Sequence, residues 1–189
     1  ITHYSVHDIR FPTSKSLDGS DAMNLAPDYS AAYVVLHVNH GPDGHGMTFT
    51  IGRGNEICCA AIGAVADLLI GRDIEGLFAD MGAMWRLLTG DSQLRWTGPE
   101  KGVIHLAAAA VINAVWDMYG KYVGRPVWRL ISEMSAQEMV SLIDWRYLSD
   151  SLSPSEATER LQECEPTRHL RLSQMESMGY PAYTTSAGW

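Results

Sequence analysis

The sequence predicts an α+β fold in which a three-stranded antiparallel sheet is followed by a helical bundle. Three observations predict it. Short β-branched and aromatic runs fill the first fifty positions, with a Gly/Pro/Asp turn between two of them. Apolar residues recur at helical spacing from about position 57 onward. Capping signatures then punctuate the helical part.

Taken in order, residues 1–11 read as a strand anchored by Tyr4, Val6, Ile9 and Phe11. "PTSKSLDGSDAMNLAPDYSA", 12–31, is a long polar loop, a length that within a compact domain usually signals function or disorder. "AYVVLHV" (32–38) and "GMTFTI" (46–51) form a hairpin closed by "NHGPDGHG". Ile57, Ala60, Ala61, Ala64, Val65, Leu68 and Leu69 make one helical stripe, and Ile74, Leu77, Phe78, Met81, Trp85 and Leu88 another. The strongest helix is expected after Thr97-Gly98-Pro99-Glu100, with Thr97 as N-cap, Glu100 closing a capping box and Pro99 in the first turn. It runs to Gly124, a suitable stop. Ser135/Glu138 and Ser153/Glu156 repeat the capping box before shorter helices, "MVSLIDW" (139–145) is strand-like between them, and "GYPAYTTSAGW" (179–189) reads as a turn and a short strand. Neither an internal repeat nor a linker is visible.

The 189 residues carry a formal charge of −8 and no basic stripe, which excludes nucleic-acid binding as an expectation. Cys58, Cys59 and Cys164 are spaced for neither a disulfide framework nor a zinc site, and the start lacks the apolar core of a signal peptide. A reducing, cytoplasmic setting is expected. No apolar run is read as reaching spanning length, so no membrane association is expected. The absence of an initiator Met suggests trimming or a fragment.

Several patterns invite a site. Gly52-Arg53-Gly54 lies between a strand and a helix, but Ile57 occupies the place of the third glycine of a dinucleotide fingerprint. The strand also belongs to a hairpin, so the turn is read as turning the chain, with Gly54 or Asn55 as helix cap. His37, His40 and His45 gather around the hairpin turn as a possible zinc set without a carboxylate pattern beside them. Asn113, Asp117 and Lys121 share one face of the apolar helix, either as a catalytic trio or as an Asp117–Lys121 pair with one member tying down backbone nearby. Asp18, Gly19, Ser20 and Asp21, with Tyr29 beyond them, offer the short polar groups that a polyhydroxylated ligand needs; the same residues equally describe a solvated loop.

The stretch "AAVINAVWDMYGKYVGRPVWRLI" (109–131) resembles the helix near the end of the N-terminal capping domain of the enolase superfamily, in particular the mandelate racemase group. Where that group commonly continues Leu-Leu-Gly-Gly, Leu130 is followed by "ISEM", which resembles the L-fuconate dehydratase branch. "DIRFPTS" (8–14), "SDAMN" and "PDYSAAYVV" (within 20–35), "GHGMTFTIGRGNE" (44–56), "LTGDSQLRWTGPEKGVIHLA" (88–107), "SLIDWRYLSD" (141–150) and "GYPAYTTSAGW" extend the resemblance over nearly the whole chain.

The resemblance implies a capping domain over 1–138, then a connecting segment and the first strand of an incomplete TIM-type barrel over 139–189. It implies a hydro-lyase that removes water from L-fuconate to give 2-dehydro-3-deoxy-L-fuconate, with Mg²⁺ stabilising an enediolate. The small-molecule partner would be the sugar acid, and the complete enzyme is expected to be a homo-oligomer. The substrate-binding residues it implies are Gly19, Ser20, Asp21, Tyr29 and Tyr180. The metal-binding and proton-transferring groups belong to barrel strands that match nothing in this chain. The chain is therefore expected to hold no catalytic or metal-binding residue and to be inactive alone. The alternative is a standalone, non-catalytic cap-fold protein that binds a sugar acid or a protein.

Overall fold

A computed structural model describes residues 1–98 and 101–182. Two compact units divide the chain, Ile1–Leu130 and Ile131–Trp189. The boundary expected from the resemblance lies further on, at 138/139.

In the first unit, β1 (His3–Arg10), β2 (Ser30–His37) and β3 (Gly44–Thr50) form an antiparallel sheet in the order β1-β2-β3. The register aligns Ser5 with Val35 and His45, and Ile9 with Ala31 and Phe49. β2 is the central strand. Its near-continuous apolar run buries Ala32, Val34 and Leu36 completely on the face that meets the helices.

Helices α1 (Asn55–Ala66), α2 (Ile74–Ala79), α3 (Met81–Thr89) and α4 (Gly102–Val123) follow. β3 presents Gly44 and Gly46 to α4 so closely that a Cβ would lie 2.2 Å from the Ala114 carbonyl oxygen and 2.0 Å from that of Ala110. The alanines of α4 and the glycines of β3 thus let helix backbone rest almost on strand backbone. By length and composition α4 could cross a bilayer, contrary to the sequence expectation that no run is long enough. Here it is the core helix of the unit, with Ala107, Val111, Ala114, Val115 and Met118 buried.

The α1 stripe is rotated from the expected one. Cys58, Ile62, Val65, Ala66 and, just beyond the helix, Leu69 are buried, whereas Ile57 is 57% exposed. Asn55 sets this rotation. Fully buried at the helix start, its amide donates to Asp8 Oδ1 at 2.6 Å and to the Ala31 carbonyl at 3.2 Å, while its Oδ1 accepts from Thr50 Oγ1 at 2.7 Å. Gly54, at φ 96°, is the N-cap, one of the two residues expected there, and Asn55 is the first residue of the helix. The second stripe is broken into α2 and α3 by Asp80, whose side chain caps Ala83 as Asp73 caps Gly76.

Thr97 does not cap α4. It ends a 3₁₀ turn, and its hydroxyl donates back to Leu94; α4 begins at Gly102, while Pro99 and Glu100 lie outside the described residues. Gly124 ends α4 in the left-handed region at φ 72°, as its position predicts. Helix α5 (Val127–Glu133) spans the boundary between the units.

The second unit holds α6 (Ala136–Ser141), α7 (Pro154–Cys164) and α8 (Arg168–Met178). Both capping boxes are present: Ser135 with Glu138, and Ser153 with Glu156. The strand expected over 139–145 is absent, because the first box commits the chain to α6. Asp144 then caps a 3₁₀ turn, and the Trp145 indole donates to the Val140 carbonyl at 3.1 Å. The expected first barrel strand falls mainly on 183–189, outside the described residues.

Gly46→Ala is expected to destabilise the first unit by about 3 kcal/mol or more, because the methyl group meets backbone and not a movable side chain. Thermal unfolding should show a fall in Tm of at least about 6 °C. An unchanged Tm would show that α4 and β3 have more room than this packing implies.

Candidate functional site

Four of the five residues expected to bind substrate lie on the long loop between β1 and β2, which is built from its neck outward. Phe11 N–H donates to the Tyr29 carbonyl, extending the sheet by one rung. Thr13 then bridges the two sides of the neck, donating from Oγ1 to the Pro27 carbonyl at 2.8 Å and accepting there from the Tyr29 N–H at 2.9 Å. Asp28 accepts from Ser14 N–H at 3.1 Å, and its own N–H donates to the Ile51 carbonyl. Hydrogen bonding by Ser14, from its side chain first and then its backbone, holds the Asp28 carboxyl below the ordinary carboxylate range.

Above the neck the backbone enters the left-handed region at Leu17 (φ 59°) and Gly19 (φ 71°). At Gly19 the requirement is double: the dihedral favours glycine, and a Cβ would fall 1.6 Å from the Tyr29 hydroxyl oxygen. The Tyr29 ring meets Phe49 of β3 edge-on, with centroids 5.3 Å apart. Gly19 and Tyr29, ten positions apart in sequence, therefore form one contact.

Ser20 follows, its N–H on the Leu17 carbonyl. Asp21 is turned inward on the loop. Its Oδ1 accepts from the N–H groups of Met23 and Asn24 at 2.8 and 2.7 Å, with the Asn24 side chain also within 3.3 Å of both oxygens. The Asn24 and Met23 amides lower its pKa. Such a carboxylate shapes the loop and keeps one lightly engaged oxygen, Oδ2, for anything outside it. Tyr180, the fifth expected residue, is 82% exposed and belongs to the second unit.

A groove of about 470 Å³ runs beside the loop, lined by residues 23–28 on one side and Ile51, Gly52 and Arg53 on the other. Sequence reasoning passed over Arg53 and Thr13. Arg53 stood in a turn read only as a turn, although a cation beside a polar loop is itself a signal for an acid ligand. Thr13, a hydroxyl residue just after Pro12 at a strand end, is of the type that bonds nearby backbone.

The other patterns resolve into side-chain pairs. Asp117 accepts from the His45 N–H at 2.7 Å and pairs with Lys121 at 2.5 Å, and Lys121 also donates to the Asp43 carbonyl. This is the pairing alternative, with Asp117 tying the hairpin to α4. His37 bonds Asp43 and His45 bonds Tyr33, both at 2.8 Å. Among the described residues no group of three His, Cys, Asp or Glu could hold a metal ion.

By its fold the first unit is an α+β domain that carries a polar loop between the first two strands of its sheet. Residues 21–132 match the family model "Mandelate racemase / muconate lactonizing enzyme, N-terminal domain". The chain belongs to that family of the enolase superfamily. Its whole length is 54% identical to L-galactonate dehydratase of Hypocrea jecorina, covering 42% of that protein, and 48% identical to mitochondrial enolase superfamily member 1 of Homo sapiens, covering 43%. The crystal structure of the human protein superposes on all of this chain with a TM-score of 0.93. A magnesium-bound racemase of Streptomyces coelicolor A3(2), 24% identical, shares the fold over 72% of the chain with a TM-score of 0.56. The chain thus spans about two fifths of the length of the curated relatives it matches.

Gly19→Ala is expected to displace the Tyr29 ring from Phe49, seen as shifts of both sets of ring resonances, with little change in Tm because the loop lies outside the core. Asp21 has a depressed folded-state pKa, so its contribution is present at neutral pH and is lost as the pH falls through that lowered value. The Met23 and Asn24 amide shifts should titrate together below the ordinary carboxylate range; titration at the ordinary value would show the bonds to be absent.

Proposed function

We propose that this chain is the substrate-capping part of an acid-sugar dehydratase acting on a six-carbon aldonate of L-galacto configuration. The observation that carries this reading is the identity of 54% to L-galactonate dehydratase across the entire chain. L-Fuconate, the substrate implied by the sequence resemblance, is 6-deoxy-L-galactonate, so the two candidates differ only in a hydroxyl at C6. L-Fuconate is the assignment proposed, with L-galactonate its direct competitor.

In this reading Gly19, Ser20 and Tyr29 close over the hydroxylated carbons, and Asp21 holds the loop in shape for them. Arg53 places a cation at the rim of the adjacent groove, where an aldonate carboxylate would find a partner. The exposed apolar residues of this edge, Leu17, Met23, Leu25 and Phe49, would seat against a barrel domain and exclude water from the site. The barrel would supply the Mg²⁺ ligands and the acid and base, and Tyr180 would approach the substrate from the start of that domain. A homo-oligomer of the complete enzyme is part of the same proposal.

The test is dehydration of L-fuconate and L-galactonate by the protein with its barrel and Mg²⁺, followed as 2-keto-3-deoxy acid. L-Fuconate should be turned over with the higher kcat/KM. Tyr29→Phe should lower kcat/KM by about tenfold, the worth of one hydrogen bond to substrate. The 189 residues alone should turn over neither sugar acid. Loss of both activities from the complete protein would sink the substrate class, and turnover by the 189 residues would sink the division of labour with a barrel.

A further inference from the structure

The sheet face turned away from α1 and α4 carries a constellation that the capping role does not use. Ser5 of β1 stands beside His37 of β2, its Oγ 3.2 Å from His37 Nε2. On the other side of that ring, His37 Nδ1 is 2.8 Å from Asp43 Oδ2, in the hairpin turn. With Asp43 accepting from Nδ1–H, Nε2 is left as the acceptor for the Ser5 hydroxyl proton. His3 stacks on the His37 ring at 4.3 Å, nearly parallel, and fixes its plane. The order hydroxyl, imidazole, carboxylate is that of a serine nucleophile with an oriented general base.

Two further groups complete it. His7 Nε2 lies 3.3 Å from Ser5 Oγ on the same face and can present an N–H to an oxygen that gains charge there. The backbone supplies the second. Phe11 N–H bonds to the Tyr29 carbonyl, so the odd-numbered residues of β1 make the bonded pairs with β2, in the alternation of an antiparallel ladder. The N–H of Val6, the residue after Ser5, therefore points away from β2, and β1 is an edge strand. All of these groups lie in the first unit.

We propose that Ser5, His37 and Asp43 form a second reactive site, distinct from the sugar-acid site, at which Ser5 attacks small activated esters. Ser5 Oγ bonds to the ester carbonyl carbon as its proton passes to His37 Nε2. The acyl C–O bond then breaks, and the departing alkoxide takes that proton. Water, deprotonated by the same nitrogen, releases the acid and restores the Ser5 hydroxyl. With a fluorophosphonate the sequence stops after the first half, leaving Oγ bonded to phosphorus and releasing HF. His37 and Asp43 are partly exposed, so substrate reaches the site from solvent.

The experiment treats the full chain with a short-chain alkyl fluorophosphonate and follows intact mass and peptide mapping. One phosphonate adduct is expected, on Ser5, and none in Ser5→Ala. His37→Gln should slow labelling by about a hundredfold or more, the usual worth of a general base. Asp43→Asn should slow it at least about tenfold, because the orienting acceptor is lost. Hydrolysis of p-nitrophenyl acetate should fall in the same order, with circular dichroism confirming that each variant is folded. Absence of a Ser5 adduct on folded protein overturns the proposal, and so does Ser5 labelling that proceeds as fast without His37. Neither result bears on sugar-acid dehydration, which is measured separately.

Discussion

The close approach of α4 to β3 is the constraint on which the first unit depends. Gly44 and Gly46, in alternate positions, remove the side-chain atoms from one face of the first half of β3, and the Ala-rich middle of α4 fills that space with backbone. Dispersion and exclusion of water act strongly at such short range because so many atoms meet. The sheet could not form this contact alone. Its central strand is apolar on both faces, so the α4 side must be covered before β2 is stable. Asp117 and Lys121 add a polar clasp at the end of the same contact, joining α4 to the hairpin turn through His45 and Asp43.

A second network fixes the opposite end of the sheet. Asn55 joins Asp8 of β1, Ala31 of β2 and Thr50 at the end of β3 to the first turn of α1. Arg10 pairs with Asp8 and with Glu56, and that pairing, with the Asn55 amide, brings the Asp8 carboxyl down to about 2. The neck of the long loop opens just beyond Arg10, and its other wall runs along Asp28 and Ile51. The loop therefore springs from the most tightly bonded corner of the sheet.

Legibility in the sequence followed how local the determining interaction is. The hairpin, the Gly124 stop and the two Ser/Glu capping boxes were readable because each is settled within a few residues. The strand expected at 139–145 failed against one of those same boxes: α6 extends into the apolar residues that looked like a strand. The α1 stripe failed for another reason. Alanine and cysteine fill both faces of that segment, so periodicity alone cannot choose between them, and the choice falls to Asn55, two of whose partners are 24 and 47 positions away. Within the candidate site, the length and polarity of the loop were legible in its composition. The assignment of Asp21 to the loop's own backbone and the presence of Arg53 at the groove were not, because both depend on how the chain folds back.

By itself the sequence determined the class: a sheet made first, helices after it, a long polar loop between the first two strands, and motifs extensive enough to place the chain in its family. Those features are written in residue type and short spacing, which local sterics and hydrogen bonding convert directly into structure. Only the tertiary structure decided which face of α1 is buried, that Gly19 lies under Tyr29, and that Ser5, His37 and Asp43 stand in line. Each of those joins residues beyond the reach of local sequence spacing. Their proximity is set by register and packing, and neither is encoded within any one segment.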